Sequence, residues 1–171
     1  MALGRRLLLD KNKDMFSDYD KYLDNKKSVF RKASIISQLY ICIIILEYYL
    51  EIIFKIIIPH KLGYSIISDR YVYDTIINDV AIDMGLSTAD ANKLMKKFWF
   101  FIPKPDVTFL VYVPEHIAIK RKNDIPSLSY LKIRNEFYKD IAISEHFVIL
   151  DGTLDISELE KRVFNEMSKI R

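Results

Sequence analysis

Glycine is scarce in this chain. Its 171 residues hold four, at Gly4, Gly63, Gly85 and Gly152, and no two lie five apart. That spacing excludes both a GxxxxGK[ST] phosphate loop and a GxGxxG dinucleotide turn within these residues, since each needs closely placed glycines to bring backbone N–H groups against phosphate. Cysteine is scarcer still. A single Cys42, with no CxxC or HExxH motif, excludes an internal disulfide and the common zinc frameworks, and suits a reducing, cytoplasmic setting. His60, His116 and His146 stand in three separate segments and suggest no metal cluster. The opening MALGRRLLLD places only Leu7, Leu8 and Leu9 between its arginines and Asp10, too short an apolar core for a secretory signal.

Apolar and aromatic residues make up 50% of the chain and charged ones 29%, with 26 isoleucines, so there is ample material for a buried interior. The length fits one domain, residues 1–171. The net charge of +3 is unevenly spread: residues 1–33 carry nine Lys or Arg against five Asp, and residues 120–139 carry six basic against two acidic. Two basic clusters suit phosphate groups. They lack the interleaved aromatics of a nucleic-acid surface, so no nucleic-acid partner is expected.

Residues 34–58, SIISQLYICIIILEYYLEIIFKIII, form the most apolar segment, and Glu47, Glu51 and Lys55 recur along it every four residues, on one side of a helix. Its uncharged stretch falls about one turn short of a membrane span, so it reads as a buried core helix ended by Pro59 and Gly63. Residues 64–68, YSIIS, read as a buried parallel strand, with helix resuming near Tyr73. Ser87, with Asp90 three residues on, opens another helix, which Pro103 and Pro105 stop. Residues 107–113, VTFLVYV, are the clearest strand, followed by a helix at Pro114-Glu115. Residues 123–127 form a turn that could act as a lid. Ser127 then caps a helix to about Ile143, residues 147–150 form a third strand, and Ser157 caps a terminal helix. Such alternation predicts an α/β fold, a parallel sheet covered on both faces.

In open parallel sheets ligands bind past the carboxyl ends of the strands, which singles out Asp69 and Arg70. A carboxylate there can hold Mg²⁺, and a guanidinium beside it offers a fork matched to phosphate oxygens. By pattern alone an ordinary ion pair is equally served. The wider context narrows the choice. Asp69-Arg70-Tyr71 is followed by Pro105-Asp106 and an apolar strand, by Pro114-Glu115 with Ala118 and Arg121, and by Arg134 with Tyr138 four residues on.

From about Ile66 to Met167 these blocks resemble the thymidylate kinases and the archaeal thymidylate kinase-like proteins. The resemblance implies a three-layer α/β/α phosphate-loop kinase fold and transfer of phosphate from ATP to dTMP with Mg²⁺. It implies roles for Asp69 at Mg²⁺ or the acceptor phosphate, Arg70 on the acceptor phosphate, and Arg121 as a lid-side arginine at the transferring group. Arg134 joins the same cluster, although a solvent-facing place on its helix serves it equally well. Tyr71 and Tyr73 could line the acceptor pocket; in a chain with eleven tyrosines, packing accounts for either one.

The departures are as informative. The family's glycine-rich ATP loop is missing from these residues, and Met1 reads as an internal methionine of a longer frame. Asp74, Ile77, Asn78 and Asp79 replace the family's usual thymine-contacting residues, and Tyr112 replaces an acidic residue. Without the loop's strand, which the family places mid-sheet between residues 64–68 and 107–113, two strand edges and a face of the 34–58 helix are bared. They invite collapse or association with a second copy of the chain. The alternative function is a non-catalytic remnant that binds a nucleotide or a protein partner.

Overall fold

The computed structural model describes residues 16–32 and 34–170, and the chain divides into two compact units, Met1–Pro103 and Lys104–Arg171. The fold is mostly helical with one small parallel sheet among the described residues.

In the first unit, α1 spans Tyr19–Lys32 and α2 spans Ser34–Ile52. From Ile52 the chain continues through a π-helical turn, Ile53–Ile57, into a last α-turn, Ile58–Lys61. Pro59 therefore does not end this helix where the sequence placed the stop. A π turn lies immediately before it, and proline is tolerated in the opening turn of the short α-helical piece that follows. The end comes at Gly63, whose φ of +89° is open only to residues without a Cβ penalty. Gly63 N–H donates to His60 O and Tyr64 N–H to Pro59 O, the paired bonds of a Schellman cap.

Residues 72–84 are one helical run, α3, made of Val72–Asp74, a π-helical Thr75–Ala81 and Ile82–Met84. Val72, Ile76, Ile77, Val80 and Ala81 are fully buried, so α3 is the core element of this unit. Helix α4, Thr88–Phe98, opens as expected: Ser87 Oγ accepts from Asp90 N–H and donates to Asp90 Oδ2. It buries Ala91, Met95 and Phe98, while α1 buries Tyr19 and Leu23 and α2 buries Tyr48 and Ile52.

Two expectations fail in this unit. Residues 64–68 are not a buried parallel strand; they are irregular, with Tyr64 and Ile67 largely exposed. A short apolar run reads alike whether or not a neighbour pairs with it, and no described strand lies beside this one. Nor is residues 34–58 a buried core helix. One side of it packs inward, and the other exposes a line of large apolar side chains.

The second unit holds β1, Phe109–Tyr112, and β2, Val148–Asp151, paired in parallel with Leu110 opposite Ile149. β1 lies within residues 107–113 and β2 overlaps residues 147–150, one residue further along. Helices α5, Glu115–Arg121, and α6, Leu128–Ser144, connect them, and α7, Ile156–Met167, follows. Residues 123–127 lie in the α5–α6 loop, and Ser127 Oγ accepts Tyr130 N–H to cap α6. Ser157 does not cap α7; Asp155 holds that position, without a side-chain bond. Gly152 is required by space, since a Cβ there would stand 2.5 Å from Val113 Cγ2 and 2.9 Å from Val111 Cγ1.

Candidate functional site

A cleft of about 260 Å³ lies in the first unit between α2 and residues 66–70. Tyr48, Glu51 and Ile52 of α2, with Lys55 of the π turn that follows, form one wall, and Ile66, Asp69 and Arg70 the other. Both leading candidates of the sequence thus stand at one opening. Arg70 is held with φ of +58°, a left-handed conformation that a bulky residue adopts only where its surroundings enforce it. Its guanidinium is exposed, with Nη1 3.9 Å from Asp74 Oδ2. Asp74 Oδ1 also accepts from Asn78 Nδ2 at 2.8 Å. At 3.9 Å the ion pair leaves the arginine's other N–H groups available to an incoming anion.

The backbone beyond Arg70 is pinned by aromatic packing. Tyr71 stacks on Trp99 with ring centroids 6.2 Å apart, and its hydroxyl donates to Pro103 O at 2.8 Å. Tyr73 is buried edge-on against the same indole, 5.3 Å between centroids. Tyr71 Oη thus anchors the segment, and the Tyr73 ring is enclosed in the core.

Burial, reinforced by neighbouring Tyr73, pushes the Tyr71 phenol from 10.0 up to about 12. Burial also raises Tyr48, whose hydroxyl bonds to Thr75. Both groups hold their protons longer folded than unfolded. Their contribution is therefore whole below pH ~10 and is lost as pH rises from there toward ~12. Urea unfolding measured stepwise across that window will show the decline, and Tyr71→Phe will flatten it. A slope unchanged in the variant contradicts the assignment.

Arg121 and Arg134 belong to the second unit. Arg121 Nη1 donates to Gly152 O at 2.7 Å, tying the end of α5 to the turn after β2. In that turn the Thr153 hydroxyl and amide both donate to Asp151 Oδ1, holding its carboxyl below the usual range. The Arg134 guanidinium lies 3.5 Å above the Tyr130 ring, and Lys139 lies 4.4 Å above Tyr112.

Sequence reasoning passed over Tyr48, Glu51 and Lys55 as parts of this site. The signal was present, because the Glu51–Lys55 pair stands at i,i+4 in an otherwise apolar helix, and the two charges lie on one cleft wall. Asp69 suits Mg²⁺, which takes one or two carboxylates and fills its other positions with water and phosphate oxygens. No group of three potential metal ligands occurs among the described residues, so an all-protein metal cage is not what this site offers.

Over 123 residues the chain is 32% identical to a thymidylate kinase of Sulfurihydrogenibium, a match covering 63% of this chain and 55% of that protein. The chain is thus similar to thymidylate kinases over roughly 60% of its length. The thymidylate kinase of Fervidobacterium nodosum is 29% identical over 117 residues, covering 61% of this chain and 58% of the relative. That of Plasmodium falciparum is 25% identical over 119 residues, covering 64% and 51%. The chain spans about half the length of the curated relatives it matches. No protein-family model and no solved structure matches it. No described helix is long and apolar enough to cross a membrane.

Proposed function

We propose that the chain carries the acceptor side of a thymidylate kinase, the family reaction being ATP + dTMP to ADP + dTDP. The observation that carries this reading is Arg70, strained into a left-handed conformation beside Asp69 at the mouth of the cleft. Its free donors grip the dTMP phosphate, and Tyr71 steadies the segment that presents them. Asp69 would hold Mg²⁺, which when bound draws charge from the phosphate oxygens. Arg121 and Arg134 are proposed, from the resemblance, to offset charge on the transferring group. The ATP phosphates find no glycine-rich cradle within these 171 residues, so no transfer step is assigned to them.

That same shortage favours the second reading, a remnant that binds a nucleotide or partner without turnover. Calorimetric titration tests what the two share. dTMP will bind and thymidine will not. Arg70→Ala will raise the dTMP Kd by ~10- to 100-fold, the worth of ~1.5–3 kcal/mol in charge-assisted hydrogen bonds. Equal binding of dTMP and thymidine, or an unchanged Kd in the variant, removes the acceptor site.

A further inference from the structure

The aromatic turn that closes α4 faces two ways. Phe98 and Ile102 are buried, while Phe100 and Phe101 between them are 85% and 65% exposed, their rings edge-on to each other with centroids 5.1 Å apart. The turn is firmly built. Phe101 N–H and Ile102 N–H both donate to Phe98 O, at 2.9 and 3.0 Å, Trp99 packs on Tyr71 and Tyr73, and the Tyr71 hydroxyl donates to Pro103 O. Two large apolar rings are thus held out in water by a backbone fixed on either side of them.

The charge around them has one sign. Residues 91–103 carry Lys93, Lys96 and Lys97 and no acid, in a chain where 23 of 171 residues are acidic. Lys93 is paired at 3.3 Å with Asp90, just outside that segment. Lys96 and Lys97, in the last turn of α4, are exposed and take part in no ion pair among the described residues. Phe100 N–H donates to Lys97 O, so the rings follow the two ammonium groups within one turn of backbone.

We propose that this tip docks on the surface of an anionic lipid bilayer, with the two phenyl rings entering the boundary between headgroups and acyl chains and Lys96 and Lys97 meeting the headgroups. Charge and shape name that occupant. Unpaired lysines beside exposed aromatic rings match a boundary that is negative on its outer side and apolar just beneath. Rings that project suit a deformable phase, whereas a folded protein would need a pocket shaped to receive both. Single-stranded nucleic acid fits less well, because successive bases stack on open ring faces and here one ring turns its edge to the other at 75°. No described helix is long and apolar enough to cross a membrane, and the proposal asks only for contact with one leaflet. None of these residues lines the cleft beside Arg70, so the proposal does not depend on the kinase reading.

Flotation of the full chain with vesicles of phosphatidylcholine containing about one-third phosphatidylserine will show partition at least ~10-fold above that onto phosphatidylcholine alone. The double variant Phe100→Ser, Phe101→Ser will lower it at least ~10-fold, and Lys96→Glu, Lys97→Glu at least as far, each with unchanged far-ultraviolet dichroism. Trp99, the single tryptophan and the neighbour of Phe100, gives a local readout: nitroxide-labelled lipid in the same vesicles will quench its fluorescence. If a variant does not fold, quenching in the wild-type chain decides. No partition, or equal partition onto both vesicles, overturns the proposal, as does a folded variant that floats like the parent or a bound chain whose Trp99 is not quenched. A chain that binds a single-stranded oligouridylate and floats with neither vesicle also overturns it, and assigns the tip to nucleic acid.

Discussion

Incubated with ATP, Mg²⁺ and dTMP, the 171-residue chain will form dTDP at no more than ~10⁻³ of the rate of the same chain extended upstream by a strand and a GxxxxGK[ST] loop. The size of the effect follows from the work such a loop does. Its backbone N–H groups and lysine make several charge-assisted hydrogen bonds to the donor phosphates, each worth ~1.5–3 kcal/mol, and two or three of them account for a thousandfold. No glycine pair in the chain has the spacing to replace it. Arg70, Asp69 and Arg121 do not compensate in this reading, which proposes them for the acceptor and the transferring group. Coupled-enzyme detection of ADP, confirmed by chromatography of the nucleotide products, measures the ratio. Turnover by the short chain within tenfold of the extended one would contradict both the assignment of donor binding to the missing loop and the remnant reading.

What could be read in advance depended on how local its cause was. Ser87 and Ser127 were legible as caps because each acts on an amide three residues away. Residues 107–113 were legible because six of their seven side chains are β-branched or aromatic and fit little other than a pleated ribbon. Residues 64–68 were misread because a strand exists only with a neighbour, and the run YSIIS carries no record of whether one is present. The 34–58 helix was misread for a related reason. Apart from the line of Glu47, Glu51 and Lys55 its composition is apolar, and an apolar face is buried only if something lies against it. The π turns were invisible, since they trade one hydrogen-bond register for another without a distinctive residue. Asp69 and Arg70 were singled out by their chemistry and by the blocks that follow them, and both line the cleft. The i,i+4 spacing of Glu51 and Lys55 signalled a shared helix face, but only the fold brings that face opposite residues 66–70.

The core around α3 makes the second large effect accessible. Lys26 of α1 and Asp83 of α3 form an ion pair at 2.8 Å, with side chains only 10% and 13% exposed. Tyr22 places its ring 5.0 Å from the same ammonium. Two charges so nearly removed from water contribute little net stability as a pair, because desolvation offsets most of their attraction. Removing one is another matter. Asp83→Ala leaves the ammonium without its carboxylate between α1 and α3 and will cost ~3–5 kcal/mol, a large part of the stability of a chain this size. The double variant Lys26→Met, Asp83→Leu replaces both charges with apolar groups of similar volume and will recover most of that loss. Urea unfolding of the parent, both single variants and the double variant closes the cycle. A cost below ~0.5 kcal/mol for Asp83→Ala would mean that water reaches the pair. A double variant as unstable as the worse single one would mean that the two helices are held by the shape of this contact and not by its charge.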